Sequence, residues 1–123
     1  MEFKKRFLKI VEEYMAKEEK TRLDKAQNLK DALIRMNAEI SKTDIYTEHF
    51  KEGYLERTHR LINDLNTLSQ VAEIIEENPN NDGVLEIWNL GAEVVSIGLQ
   101  VIMGFILRCR EAGNLYREEN DNV

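Results

Sequence analysis

The sequence predicts an all-α fold: a bundle of about four helices, built as long antiparallel hairpins around a central apolar C-terminal helix. Three observations carry that prediction. Apolar residues recur at three- and four-residue spacing in three separate stretches, as amphipathic helices require. The chain has one proline and six glycines in 123 residues, and its charged positions lean on Glu and Lys, which lose little rotamer freedom in a helical turn. No stretch alternates β-branched or aromatic residues with polar ones as a half-buried strand would. Roughly two-thirds or more of the chain is therefore expected to be helical, in one domain, because this length is too short for two independent cores.

Residues 1–42 read as a charged amphipathic segment of one helix or two. Phe3, Phe7, Ile10 and Tyr14 form the first stripe, thickened by Leu8, Val11 and Met15. The phase then fails across Lys17, Glu18, Glu19, Lys20, Thr21 and Arg22, which offer nothing to bury. A second stripe begins in a new register with Leu23, Ala26, Leu29, Leu33, Met36 and Ile40, and Thr21 with Asp24 has the pattern of a helix cap.

Residues 44–113 read as a helical hairpin core. Ser41-Lys42-Thr43-Asp44 interrupts the pattern with capping residues, and the helical period resumes from Ile45, with Gly53 as a candidate bend. Leu55, Leu61, Ile62, Leu65, Leu68, Ala72 and Ile75 mark its apolar face. Asn78-Pro79-Asn80-Asn81-Asp82-Gly83 is the strongest turn signal in the chain, with Asp82 placed to cap the next helix. Residues 114–123 read as a frayed acidic tail.

The last helix, roughly 84–113, differs in kind. Val94 to Leu107 is a run of fourteen residues without a charge, with apolar side chains on every side and Gly91, Gly98 and Gly104 inside it. Glycine there costs about 0.5–1 kcal/mol relative to Ala, so close approach of another helix is the expected compensation. Trp88, Gly91, Gly98, Ile102 and Phe105 are the candidate positions for core or oligomer packing. A helix with so little polar surface must be covered on most sides, within the chain or across a subunit interface. A homo-oligomer is the expectation. A membrane span needs about 20 apolar residues and would have to include Asn89, Glu93, Ser96 and Gln100, so the buried-helix reading is preferred to the membrane one.

Net charge and cysteine content bound the function. At −6, with 17 basic residues mixed among 23 acidic ones, the chain lacks the extended basic face of a general nucleic-acid binder. Cys109 is the single cysteine, so no intrachain disulfide forms. With no apolar signal segment after Met1, a reducing cytoplasm is expected.

Catalytic and metal motifs are incomplete. Residues 78–86 place oxygen side chains like part of a calcium loop, but Asn89 stands where an EF-hand needs a bidentate Glu. Glu56 and His59 have di-iron bundle spacing, yet His49 is the only other histidine and Tyr46 precedes it by three. Cys109 lacks a sequence-adjacent base and reads as a small buried hydrophobe. No catalytic residue, metal or cofactor is assigned.

One constellation is basic. Tyr54, Arg57, His59 and Arg60 crowd the start of the third helix, and Arg108 with Arg110 ends the fourth. If these helices run antiparallel, the two clusters share one end of the bundle, where arginine forks suit phosphate or carboxylate and Tyr54 suits base stacking. Pairing of the same arginines with surface glutamates is the competing reading.

Leu61-Ile62-Asn63-Asp64-Leu65, followed by Leu99-Gln100 and Arg108, resembles the helical hairpin of phage proteins that sequester cyclic-nucleotide immune signals. The resemblance spans residues 54–112 at most. It departs at Asn66, where a lysine is expected, and in the spacing from Trp88 to Leu99-Gln100. It implies a small, helical, oligomeric, non-enzymatic protein. Because no catalytic or metal set is complete, the functional expectation is an oligomeric helical module that binds another protein as adaptor or inhibitor. A sponge for a nucleotide-like or phosphorylated anion is the alternative, and a membrane-associated helical protein the second alternative.

Overall fold

The computed structural model describes residues 2–118. It contains α1 (Glu2–Ala16), α2 (Arg22–Lys42), α3 (Glu48–Glu77) and α4 (Asp82–Glu111). The helices hold 15, 21, 30 and 30 residues, so helix exceeds the expected two-thirds of the chain. Consecutive helices pack antiparallel.

The first 42 residues form two helices, and the reason lies at the break. Lys17 to Lys20 give no apolar residue to continue the α1 stripe, while Thr21 starts a new helix. Its Oγ1 accepts from the Asp24 amide at 3.0 Å, and the Asp24 carboxylate accepts from the Lys20 amide at 3.3 Å. Two otherwise orphaned donors are thereby satisfied.

α3 begins at Glu48 rather than Ile45. Thr47 caps it, accepting from the Phe50 amide at 3.0 Å, and residues 45–47 have other work. The Ile45 carbonyl accepts from the Arg117 amide at 2.8 Å, and the Thr47 amide donates to the Leu115 carbonyl at 3.1 Å. Tyr46 and Tyr116 form an isolated antiparallel bridge, their rings stacked at 5.6 Å. Residues 114–118, expected to fray, are therefore a strap tied to the α2–α3 linker, with Leu115 buried. Residues 119–123 of the expected tail lie outside the described residues. The cap of α4 also moves by one position: Asn81, not Asp82, accepts from the Val84 amide at 3.2 Å.

Packing follows chain order. Among the described residues, α1 packs on α2, α2 on α3 and α3 on α4, with no close backbone approach between helices further apart in sequence. Ala26, Leu33 and Ile40 of α2, together with Val95, Ile102, Phe105 and Cys109 of α4, meet Phe50, Tyr54, Leu61, Leu65 and Leu68 of α3. Leu61 and Leu65 are 1% exposed, which places α3 at the centre of the molecule. Glycines let α4 close on it. A Cβ on Gly91 would lie 2.6 Å from Leu68 Cδ1, and one on Gly98 would lie 3.1 Å from Leu61 Cδ1. Gly53, expected as a bend, is instead a notch in a continuous helix: an added Cβ would meet Phe105 Cζ at 2.2 Å. Gly104 faces no other helix; its nearest neighbour is the Arg108 guanidinium of its own helix.

One expectation needs correction. α4 is the apolar C-terminal helix, but within the chain it stands at the edge of the row and is not enclosed. α3 covers one side only. The apolar stripe of α2 is taken up by α3 and α1, which leaves nothing among the described residues to cover the rest. Ile87, Leu90, Val94, Ile97 and Val101 stay 46% to 58% exposed, and Met103 and Leu107 are open as well.

Candidate functional site

The antiparallel α3–α4 pair brings the two basic clusters to one end of the molecule, but staggered. Gly53 abuts Phe105. Arg57 lies one turn beyond Gly53, and Arg108 lies almost one turn beyond Phe105 in the opposite direction. Their Cα atoms are thus about 10 Å apart along the helix axes.

Each basic side chain has its own local setting. Arg57 Nη1 donates to the Gly53 carbonyl at 3.0 Å, and its guanidinium lies 4.1 Å from the Phe105 ring centre, within cation–π range. Arg60 pairs with Glu56 at 3.2 Å, one turn back on the same exposed face. His59, Arg108 and Arg110 are exposed. Tyr54 does not reach this surface. Its ring is buried against Phe50 at 5.5 Å, and burial, with a smaller contribution from Tyr46, pushes its phenol up to about 12. It is a neutral core residue and cannot stack on a bound base.

The positions expected to pack do meet the core. Ile102 and Phe105 are each 6% exposed, Gly91 and Gly98 receive leucines of α3, and Trp88 packs partly against the core. Trp88 also faces a cleft that sequence reasoning missed. A cavity of about 550 Å³ opens at the other end of the molecule, lined by residues such as Lys20, Arg22, Lys25, Glu76, Pro79 and Trp88. The Arg22 guanidinium sits 5.9 Å from the Trp88 ring centre. The signal was present: strict up-down alternation returns the start of α2 to the same end as the α3–α4 turn. The cavity mixes both charge signs, since Glu19 also lines it.

The most extensive feature is apolar. Ile87, Leu90, Val94, Ile97 and Val101 follow one another at spacings of three, four, three and four. That is the a/d period of a helix seam, here running about 20 Å along the solvent side of α4. Beside it, between α3 and α4, lies a groove of about 210 Å³ lined by Asp64, Thr67, Leu68, Val71, Ile87, Gly91 and Val94. The sequence narrows the apolar surface, since Glu86, Asn89, Glu93, Ser96 and Gln100 recur at spacings of three and four as a polar face, but the wide apolar arc that remains has no phase of its own. Only the position of α3 divides it into a covered side and an open one.

Catalytic chemistry has less to work with. Cys109 is buried at the α3 contact. Asn81, between the candidate calcium-loop oxygens of Asn80 and Asp82, is engaged in capping α4. Among the described residues no group of three or more His, Cys, Asp or Glu side chains gathers as a metal site. No family model, curated protein or solved structure matches the chain.

Proposed function

We propose that the chain is a non-enzymatic, oligomeric helical binding module, an adaptor or inhibitor of another protein, and that the open stripe on α4 is the surface through which it associates with other chains. The observation that carries this reading is a row of five aliphatic residues at a/d spacing, each about half exposed, on a helix flanked by α3 alone. Full burial of a Val, Leu or Ile side chain is worth about 1.5–3 kcal/mol. Covering the open half of five such residues is therefore worth on the order of 5 kcal/mol, before the partner's own surface is counted. Apolar stretches of this extent on soluble proteins mark interaction sites.

Two other readings have less behind them. An anion sponge gains little from the basic end, where Tyr54 is in the core, Arg57 lies on Phe105 and Arg60 is paired with Glu56. Membrane insertion draws on α4 alone, which is long and apolar enough to cross a bilayer by length and composition. Yet α3 is interlocked with it through the Leu61–Gly98 and Leu68–Gly91 contacts, and α3 carries the exposed charges Glu56, Arg60, Asp64, Glu73 and Glu76. Charged residues at the bilayer centre cost about 2.5–3.5 kcal/mol each on insertion scales, so α4 would have to abandon α3 to enter lipid.

A photo-crosslinking residue at Ile97, introduced in the cells that express the protein, separates these readings. The binding-module reading expects a discrete protein adduct that a Leu90→Glu change suppresses. Adducts to lipid alone, or none, contradict it.

A further inference from the structure

We propose that the partner of this stripe is a second copy of the chain, with α4 packed antiparallel on α4 about a two-fold axis at Ile97. The proposal rests on the reading of the stripe as a binding surface and adds the identity and orientation of what covers it.

Charge decides the orientation. The open side of α4 is acidic in its first half, with Asp82, Glu86 and Glu93, and carries Arg108 and then Glu111 near its end. All five are exposed. Among the described residues none of them forms an ion pair within the chain. A parallel pair would set each carboxylate beside its own copy and Arg108 beside Arg108, an arrangement that like-charge repulsion opposes. An antiparallel pair centred on Ile97 sets Glu86 opposite Arg108 of the second copy, and the two-fold axis repeats the pair at the other end.

Shape agrees with charge. Ile97 lies at the middle of Asp82–Glu111, so this register overlaps the two helices along their whole length. Leu90 falls opposite Gly104 of the second copy, a large residue against a small one. That glycine faces no other helix in its own chain, and this register gives it a partner. Val101 of the second copy arrives at the level of Gly91 and Val94, beside the groove between α3 and α4. Arg108 already lies along the open face, with Nη1 at 3.3 Å from where a Gly104 Cβ would be.

The test uses mild oxidation of the full-length chain carrying Ile97→Cys or, separately, Leu90→Cys. The wild type, whose single thiol is the buried Cys109, serves as control. At a two-fold axis the thiol introduced by Ile97→Cys meets its own copy. In the antiparallel pair the two copies of position 90 are separated by fourteen residues, about 21 Å, far beyond the roughly 7 Å that a disulfide spans between Cα atoms. The expected result is a covalent dimer from Ile97→Cys alone. Charge reversal then checks the register: Glu86→Lys or Arg108→Glu singly should weaken dimerisation about tenfold, and the double variant should restore it. Covalent dimers from both cysteine variants would mean a parallel pair and overturn the proposal. A monomer in which neither variant links overturns it as well. If the Ile97 photo-crosslinker still captures protein in that case, the binding-module reading stands and only the second copy is lost. If the chain instead floats with phosphatidylcholine–phosphatidylglycerol vesicles and crosslinks to lipid, both fail.

Discussion

Phe105→Ala is expected to lower the unfolding free energy by about 3–5 kcal/mol, the largest loss from any single side chain of α4. Phe105 is 6% exposed and lies where three features of α3 converge. Its ring occupies the notch left by Gly53, stacks on Phe50 at 5.9 Å, and carries the Arg57 guanidinium above it. Truncation leaves a cavity that α3 cannot collapse into without shifting its backbone, and it strips Arg57 of its aromatic partner. A domain of this size has about 5–15 kcal/mol in hand, so the variant should show a much lower urea midpoint with little change in slope. A loss below about 1 kcal/mol would mean that this end of α4 is not held as described.

That contact also shows what the sequence could and could not tell. The stripes of α1, α2 and α3 were legible because each has an apolar phase, and the turn at residues 78–81 because its residue types leave little else. Gly53 was legible as an oddity in a helix but not as a notch, since the side chain that fills it lies 52 positions away. The strap at residues 114–118 looked like a loose end because it is short and follows Gly113 with no helical period of its own. Its ties are backbone hydrogen bonds and a stack of two tyrosines, neither of which has a local pattern. Tyr54 appeared beside the arginines in sequence, yet it lies on the buried side of α3 while Arg60 lies on the open one. The open seam of α4 was hidden for the opposite reason: beside the polar face of Glu86, Asn89, Glu93, Ser96 and Gln100 the apolar arc is too wide for a local pattern to divide.

The second large effect is at the middle of the α3–α4 contact. Leu61→Ala should cost about 2–5 kcal/mol, since Leu61 is 1% exposed and closes over Gly98. Gly98→Ala alone sets two effects against each other. Ala gains about 0.5–1 kcal/mol of helix propensity, but its Cβ would press on Leu61 Cδ1 at 3.1 Å, and overpacking typically costs about 1–3 kcal/mol. A net loss is expected. With Leu61 already truncated the obstacle is gone, so Gly98→Ala should then stabilise, and a double-mutant cycle by chemical denaturation should give a coupling above about 0.5 kcal/mol. Simple additivity would show that Leu61 and Gly98 do not interlock.

The central claim is that the stripe on α4, open in the single chain, is covered by a second copy in solution. Methyl NMR with a soluble paramagnetic probe reads this directly. Leu8 of α1 and Ile34 of α2 are 49% and 48% exposed and lie away from the proposed interface, so they calibrate full access. The account predicts that the methyl groups of Ile87, Leu90, Val94, Ile97 and Val101 keep their signal while those of Leu8 and Ile34 are bleached. Bleaching of the α4 methyls to the same extent as Leu8 would contradict it.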